Sequence, residues 1–357
     1  MKATRKVLSV AAGAVGVAAA GTALRVAQRR NVISKRGAGD DTAFGSLRSR
    51  PITVVADDGV DLHVEVDEYA GTGRRRATKA AELTVVFAHG YSLNLDSWHF
   101  QRAAYRDEIR TVFYDQRSHG RSGRSPAGHT SMEQLARDLK TVIDTVVPEG
   151  PMVLVGHSMG GMTIMALAEE HPELFGDRVV GVGLISTTAG GLEPHRILVP
   201  LLPSGVGGML AERLISVLAR GHRTVDGFRR LGKSVAMVAT DDLAFGDDVP
   251  ASYVEFVDQM LSATPFEVVA EFFPNFATLD KFETVKALSV VPTTIICGTA
   301  DKLTSIGHSR KLHAHIAGSN LLECDGAGHM VIMERHDDVN AELDRLIAAA
   351  GDTADGR

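Results

Sequence analysis

The chain has 357 residues, of which 44% are hydrophobic and 23% charged, and its formal net charge is −6. This balance is typical of a globular protein and excludes extensive disorder. The excess of acidic residues also argues against a nucleic-acid-binding protein, which needs a basic face to displace the counterions of the phosphates. Two cysteines are too few for a disulfide framework, and no Cys/His spacing indicates a zinc site. We therefore expect a globular protein with no metal, no other cofactor and no nucleic-acid partner.

The first 50 residues differ from the rest because basic side chains flank an apolar run at residues 7–24. The run is just long enough to span a bilayer, and the dense positive charge behind it favours a cytoplasmic location for the body of the protein. We interpret it as an uncleaved membrane anchor. Two alternatives stay open: a secretory signal cleaved after the small residues 18–20, and a loose helix without a membrane role. Residues 37–50 are rich in glycine and aspartate, which predicts a linker.

The body begins with two strands that alternate apolar and polar residues, and Asp58-Gly59 between them is typical of a hairpin turn. Short apolar runs then alternate with helical periodicity. The further strands are expected at residues 83–90, 109–115, 151–158, 178–187, 291–301 and 320–326. The helices are expected near residues 95–107, 131–147, 159–171, 305–316 and 334–350. This alternation predicts an α/β fold with a mostly parallel, doubly wound sheet that carries helices on both faces.

The alternation stops between residues 188 and 285, where only amphipathic helical segments and prolines follow one another. We interpret this stretch as a helical cap inserted into an α/β core that comprises residues 51–187 and 286–350. Apolar side chains in the cap either line a substrate pocket or only pack its helices against each other. The candidates for the pocket wall are Phe266, Phe272, Phe273 and Phe276.

Residues 156–160 read Gly-His-Ser-Met-Gly and lie between a predicted buried strand and a predicted helix. This is the G-x-S-x-G pattern of a nucleophile elbow in the strand–turn–helix context that it requires. The glycines fit because side chains two residues before and after a serine in so sharp a turn would collide. The pattern predicts that Ser158 is a nucleophile exposed above the carboxyl edge of the sheet.

A serine nucleophile needs a base and a group that orients that base, and in elbow enzymes an acid and then a histidine follow on loops after late strands. Asp301 ends the strand predicted at residues 291–301, and His329 follows the next strand. We therefore predict a triad of Ser158, His329 and Asp301. Asp325 is the alternative acid because it lies close to His329 in the sequence.

Two backbone N–H groups should bind the oxyanion that forms when a serine attacks a carbonyl group. One belongs to Met159, the residue after the nucleophile. The other is expected from Tyr91, in the loop that follows the strand at 83–90. His89 and His157 also lie near the site, but we expect His89 to brace its loop and His157 to point away from the serine hydroxyl.

Five motifs together resemble the α/β-hydrolase fold family, in its serine esterase and lipase branch, and the GHSMGG elbow is similar to that of monoacylglycerol-lipase-like members. The motifs are HGYS (89–92), DQRSHGRS (115–122), GHSMGG (156–161), GTAD (298–301) and GAGH (326–329). The resemblance implies a serine hydrolase that cleaves carboxylic esters, acylglycerols or other lipid esters among them, without a cofactor. For segment 115–122 the resemblance implies only a structural turn beside the site. A serine at the elbow departs from the epoxide hydrolase and haloalkane dehalogenase branches, which use aspartate.

Two other functional classes stay open. The same triad hosts C–C bond hydrolysis, perhydrolysis, amide cleavage and acyl transfer, and the same fold hosts proteins that only bind a ligand. Residues 227–234 spell a P-loop, yet no buried strand precedes them and their interior is bulky, so we expect no nucleotide site. The basic residues at 220–233 are interpreted as a solvated face, or alternatively as a contact with anionic lipid headgroups.

Overall fold

A computed structural model describes residues 26–37, 43–70, 83–192 and 229–355, with the backbone alone at 229–235 and 354–355. The apolar run at residues 7–24, and with it the predicted anchor or signal, lies outside the described residues. None of the described helices is long and apolar enough to cross a membrane. The basic residues at 220–223 also lie outside them.

The described residues form an eight-stranded sheet in the order β1-β2-β4-β3-β5-β6-β7-β8. β2 runs antiparallel to β1 and β4, and the six strands β4, β3, β5, β6, β7 and β8 are all parallel to one another. The strands are β1 Pro51–Val55, β2 Asp61–Asp67, β3 Thr84–Ala88, β4 Arg110–Tyr114, β5 Met152–His157, β6 Val179–Ile185, β7 Thr293–Gly298 and β8 Asn320–Cys324. The prediction of a mostly parallel α/β sheet is confirmed, and the hairpin turns at Asp58-Gly59 as expected, with Gly59 at φ +85°.

Helices cover both faces of this sheet. They are α1 at residues 26–34, α2 His99–Tyr105, α3 Met132–Val146, α4 Met159–Glu170, α5 Arg229–Ala244, α6 Ala251–Ala263, α7 Phe266–Thr278, α8 Ile306–His315, α9 Val331–Glu334 and α10 His336–Asp355. The core has two parts, because successive side chains of a strand point to opposite faces. Met152 and Leu154 of β5 pack with α3 and α4, whereas Val153 and Val155 pack with α2 and α10.

Local signals set several helix boundaries. The Ser131 side chain accepts a hydrogen bond from the Gln134 N–H at 3.2 Å, and α3 starts one residue later, where the sequence placed an N-cap. Helix α5 includes residues 229–234 of the P-loop-like pattern, and a helix is not the loop that cradles a phosphate. Helices α5, α6 and α7 all lie between β6 and β7, which is the region expected to form a cap.

The described residues that precede the sheet pack against the rest of the protein. Phe44 stacks on Phe256 of α6 with ring centroids 4.7 Å apart. Arg36 and Arg29 both pair with the Asp241 carboxylate of α5, at 2.5 and 3.0 Å, and the Asp241 side chain is only 1% exposed. Composition predicts a linker at residues 37–50 because glycine and aspartate are common in loops, and it carries no information about single contacts such as that of Phe44.

Candidate active site

Ser158 occupies the turn between β5 and α4. Its backbone has φ 52° and ψ −117°, a strained conformation for a residue with a side chain. A Cβ atom at Gly156 would lie 2.5 Å from the backbone of Gly160, and one at Gly160 would lie 2.0 Å from the Ala88 carbonyl oxygen. The two glycines are therefore required by the close approach of the backbone. They allow the turn to hold Ser158 in the wall of a cavity.

Asp301 and His329 come together on the loops that follow β7 and β8. The Nδ1 atom of His329 lies 2.9 Å from Oδ2 of Asp301. Both side chains are buried, and His329 also lines the cavity that contains Ser158. With Nδ1 occupied by the carboxylate, Nε2 is the ring nitrogen that is free to exchange a proton with a hydroxyl group.

The Asp301 carboxylate is held ionised by its neighbours. Burial alone raises the pKa of this carboxyl, but the His329 ring and the N–H groups of Thr304 and Leu303 outweigh it, so that the pKa lies below its ordinary value. The two N–H groups donate to Oδ1 at 2.9 and 2.8 Å. The Thr304 hydroxyl donates to Oδ2 at 3.0 Å. Sequence analysis missed Thr304, because a threonine three residues after an aspartate has no distinctive pattern.

The alternative acid, Asp325, lies elsewhere. Its side chain is exposed and accepts a hydrogen bond from the Thr299 hydroxyl at 3.3 Å. Asp301 is therefore the carboxylate that the structure brings to His329. Asp325 is close to His329 in the sequence, but this does not bring their side chains together. Asp325 directly follows the last residue of β8, whereas His329 lies further along the loop.

The loop after β3 brings Tyr91 to the same cavity. A Cβ atom at Gly90 would lie only 3.2 Å from Cβ of Ser158, so this loop passes directly over the nucleophile. Met159 is the first residue of α4, where backbone N–H groups have no partner within the helix. Within the described part of the chain, neither the Tyr91 N–H nor the Met159 N–H has a protein acceptor. Both are available to bind an oxyanion.

His89 and His157 are buried and hold backbone groups in place. The Gln116 N–H donates to Nε2 of His89 at 2.9 Å, so Nδ1 carries the proton and donates to the Gly90 carbonyl at 2.7 Å. His157 contacts the His329 carbonyl through Nε2 at 3.0 Å. Burial lowers the pKa of each of these two histidines to about 3, and neighbouring histidines add to the effect. Neutral imidazoles therefore brace the loops of the site.

Segment 115–122 forms a turn beside the site. Asp115 is fully buried and accepts hydrogen bonds from the backbone N–H groups of Leu95 and Arg121 at 2.7 and 2.8 Å. A Cβ atom at Gly120, where φ is +54°, would lie 2.3 Å from the Asp115 carboxyl carbon. Arg117 is buried in a double ion pair with Asp138 and Asp58. These contacts explain the motif as a structural element.

The cavity at the site has a volume of about 890 Å³ and is lined mainly by apolar side chains of the loops and of α5–α7. Phe273 and Phe276 line it, but Phe266 and Phe272 do not. Phe266 begins α7, about 10 Å along the helix axis from Phe273, and is 38% exposed. Phe272 turns toward the core, where its ring lies 5.2 Å from that of His119. The prediction that Phe266 and Phe272 line the substrate pocket is therefore wrong for this cavity.

His308 of α8 also lines this cavity, a position that sequence analysis did not predict. Its Nδ1 atom lies 3.0 Å from the Thr188 hydroxyl, and burial lowers its pKa. Among the described residues, no group of three His, Cys, Asp or Glu side chains is arranged to hold a metal ion. The described residues offer a serine hydroxyl group, an imidazole bound to a carboxylate, and two backbone N–H donors, all at an apolar cavity.

Comparisons with known proteins agree with the α/β fold described above. The sequence model of the alpha/beta hydrolase family matches residues 85–342. An uncharacterized protein of Mycobacterium tuberculosis is 28% identical over 281 residues, which cover 74% of this chain and 75% of that protein. A 3-oxoadipate enol-lactonase of Acinetobacter baylyi is 24% identical over 264 residues, 74% of this chain and 88% of the enzyme. The structure of an esterase from Thermogutta terrifontis superposes with a TM-score of 0.65 at 23% identity, covering 85% of this chain and all of that one.

Proposed function

This chain is a hydrolase of the alpha/beta hydrolase family, and we propose that it cleaves carboxylic esters through an acyl-serine intermediate. The observation that carries the proposal is the 2.9 Å contact between Oδ2 of Asp301 and Nδ1 of His329, whose side chain lines the cavity that also contains Ser158. A buried carboxylate that holds an imidazole in the same cavity as a serine on a strained turn is the arrangement that activates a hydroxyl group.

In this mechanism Ser158 attacks the ester carbonyl and His329 takes the hydroxyl proton through Nε2. Asp301 keeps the proton on Nδ1 and stabilises the imidazolium that forms. The N–H groups of Tyr91 and Met159 bind the oxyanion, and the N-terminal end of α4 adds a favourable dipole. His329 then gives its proton to the leaving alcohol. Water attacks the acyl-serine in the same way, releases the acid and restores the serine.

The cavity supports an ester with a sizeable apolar group. Side chains such as Leu93, Met162, Leu243, Leu261 and Phe273 line it, and its volume suits a drug-sized or lipid-sized molecule. We therefore propose a lipid ester as the substrate. A cyclic ester is the second candidate, because the relative from Acinetobacter baylyi bears the name of an enol-lactonase.

A membrane location is part of this proposal. A lipid ester is concentrated in membranes, and the apolar run at residues 7–24 is long enough to act as an anchor. Helix α1 begins soon after the run, and its Arg29 pairs with Asp241 of α5, one of the helices that line the cavity. An anchor at 7–24 would therefore keep the cavity close to the bilayer surface, with the body on the cytoplasmic side.

The test is covalent labelling of the full chain with a fluorophosphonate, followed by intact mass measurement. We expect one adduct on the wild-type protein, none on Ser158→Ala, and a normal adduct on Ser305→Ala, which removes another serine of the same cavity. An adduct that persists in folded Ser158→Ala, or none on folded wild type, contradicts the proposal. A series of esters with increasing chain length then measures the preference for an apolar group.

A further inference from the structure

Two hydrogen bonds join the oxyanion loop, residues 90–93, to the helices between β6 and β7. The Tyr91 hydroxyl donates to the Val269 carbonyl in the first turns of α7. In the opposite direction, the hydroxyl of Thr264, which follows α6, donates to the Ser92 carbonyl at 3.1 Å. The Tyr91 ring also lies 4.9 Å from the ring of Phe276, edge to face. Helix α7, in the region between β6 and β7, thus holds the residue that is proposed to supply an oxyanion N–H.

The loop itself is a tight turn that needs support. The Leu93 N–H donates to the Gly90 carbonyl at 3.2 Å, which places Tyr91 and Ser92 at the centre of the turn. Ser92 has φ 58°, in the left-handed region that turns of this kind usually give to glycine. Such a conformation persists only where its surroundings impose it. Relaxation of Ser92 would rotate the peptide group that joins it to Tyr91 and so displace the backbone of Tyr91, whose N–H lies in the preceding peptide group.

The Tyr91 hydroxyl keeps its proton at ordinary pH and therefore remains a hydrogen-bond donor. Tyr91 is largely buried between Phe276 and the His119 ring, and burial raises the pKa of its hydroxyl far above the usual value. The acceptor is well fixed too, because α7 is attached to the core: the Asn275 side chain donates to the Thr130 carbonyl at 2.8 Å. The loop is therefore tied to a helix whose own position on the core is defined.

We propose that the hydroxyl groups of Tyr91 and Thr264 are positioning groups, which tie the oxyanion loop to α7 and to the end of α6 and so align the Tyr91 N–H for the oxyanion. Neither hydroxyl touches the reacting atoms. The inference rests on the proposed function, since it assigns these groups a task in the same reaction.

The experiment compares Tyr91→Phe and Thr264→Val with wild type on an ester that the wild type hydrolyses, and measures the inhibition constant of a trifluoromethyl ketone. Such a ketone adds to the serine, and its oxygen occupies the oxyanion hole. We expect each variant to lower kcat about 5- to 10-fold, with KM changed less than twofold, because loosening a donor costs less than removing it. Affinity for the trifluoromethyl ketone should fall by the same factor as kcat.

Tyr114→Phe is the matched control, since the Tyr114 hydroxyl is buried and has no hydrogen-bond partner among the described residues. It should leave kcat and the ketone affinity unchanged. A higher KM at unchanged kcat and ketone affinity in both variants would show that the two hydroxyls only seat the cap, and would overturn the inference. Unchanged kinetics in a folded Thr264→Val would overturn it as well, even if Tyr91→Phe did not fold. A folded wild type that takes no fluorophosphonate would instead reject the proposed function itself.

Discussion

The two walls of the cavity differ in chemistry and in how they are built. The core wall consists of loops at strand ends, and it carries Ser158, His329 and the Tyr91 loop. The cap wall consists of helix faces, with residues such as Leu243, Leu261 and Phe273. Loops at strand ends can place single polar atoms at defined points, whereas a helix face presents an apolar surface. We expect the core wall to determine the reaction and the cap wall to determine which ester is accepted.

The largest effect should come from Asp301, the carboxylate that contacts His329 of the core wall. Asp301→Asn should lower kcat about 10⁴-fold, because an amide cannot hold the proton on Nδ1 of His329. KM and the melting temperature should change little, since the amide has nearly the shape of the carboxylate. The check is steady-state kinetics beside thermal unfolding. Asp325→Asn is the control: a comparable loss of kcat there would assign the acid to Asp325 and reject the geometry given above.

Low pH should destabilise the folded protein through the two buried histidines that brace the loops of the core wall. Burial lowers the pKa of His89 and His157 to about 3, below the 6.5 of an unfolded histidine. The unfolded chain therefore binds more protons between pH 6.5 and 3, so the free energy of unfolding falls as the pH drops through that window. Each histidine changes the folding equilibrium up to about tenfold per pH unit. Urea unfolding at pH 7 and pH 5 measures the slope, and His89→Gln should reduce it; an identical slope in a folded variant would contradict this account.

The attachment of the cap wall is tested at the N-terminal segment. Arg36→Ala removes the better buried of the two arginines on Asp241, whose carboxylate is 1% exposed. We expect the free energy of unfolding to fall by about 2–3 kcal/mol, because a buried charge loses a partner while Arg29 remains. Lys35→Ala, on the exposed residue before it, should change that free energy by less than about 0.5 kcal/mol. Equal stability of the two variants in urea would mean that the ion pair does not hold α5.

The smallest effect should come from a single side chain of the cap wall. Phe273→Ala should lower kcat/KM about 10-fold for an ester with a long apolar chain, by removing apolar contact worth roughly 1–2 kcal/mol. A short ester should be affected less. Phe266→Ala makes the same change on the same helix outside the cavity, and kinetics on both esters should match wild type. Equal losses in the two variants would show that Phe273 acts through helix packing.

The core and its strand ends were predictable because local patterns are strong there. The apolar runs of β3 and β5 and the Gly156–Gly160 pattern each lie within a few consecutive residues, and strand order along the chain then indicates which loops share an edge. The placement of Asp301 beside His329 follows from that logic. The cap was less predictable. Helical periodicity predicts amphipathic helices between residues 188 and 285, but not which phenylalanine faces the cavity.

By itself the sequence determined the α/β fold, the elbow at Ser158 and the strand ends that carry Asp301 and His329, because these depend on short-range periodicity and on glycines without a Cβ. Only the tertiary structure decided the contacts between distant segments. Thr264 on Ser92, Tyr91 on Val269 and Arg36 on Asp241 join residues whose pairing has no local pattern. Such partners are selected by packing of the whole chain, since hydrogen bonds and ion pairs form wherever folding brings the groups together.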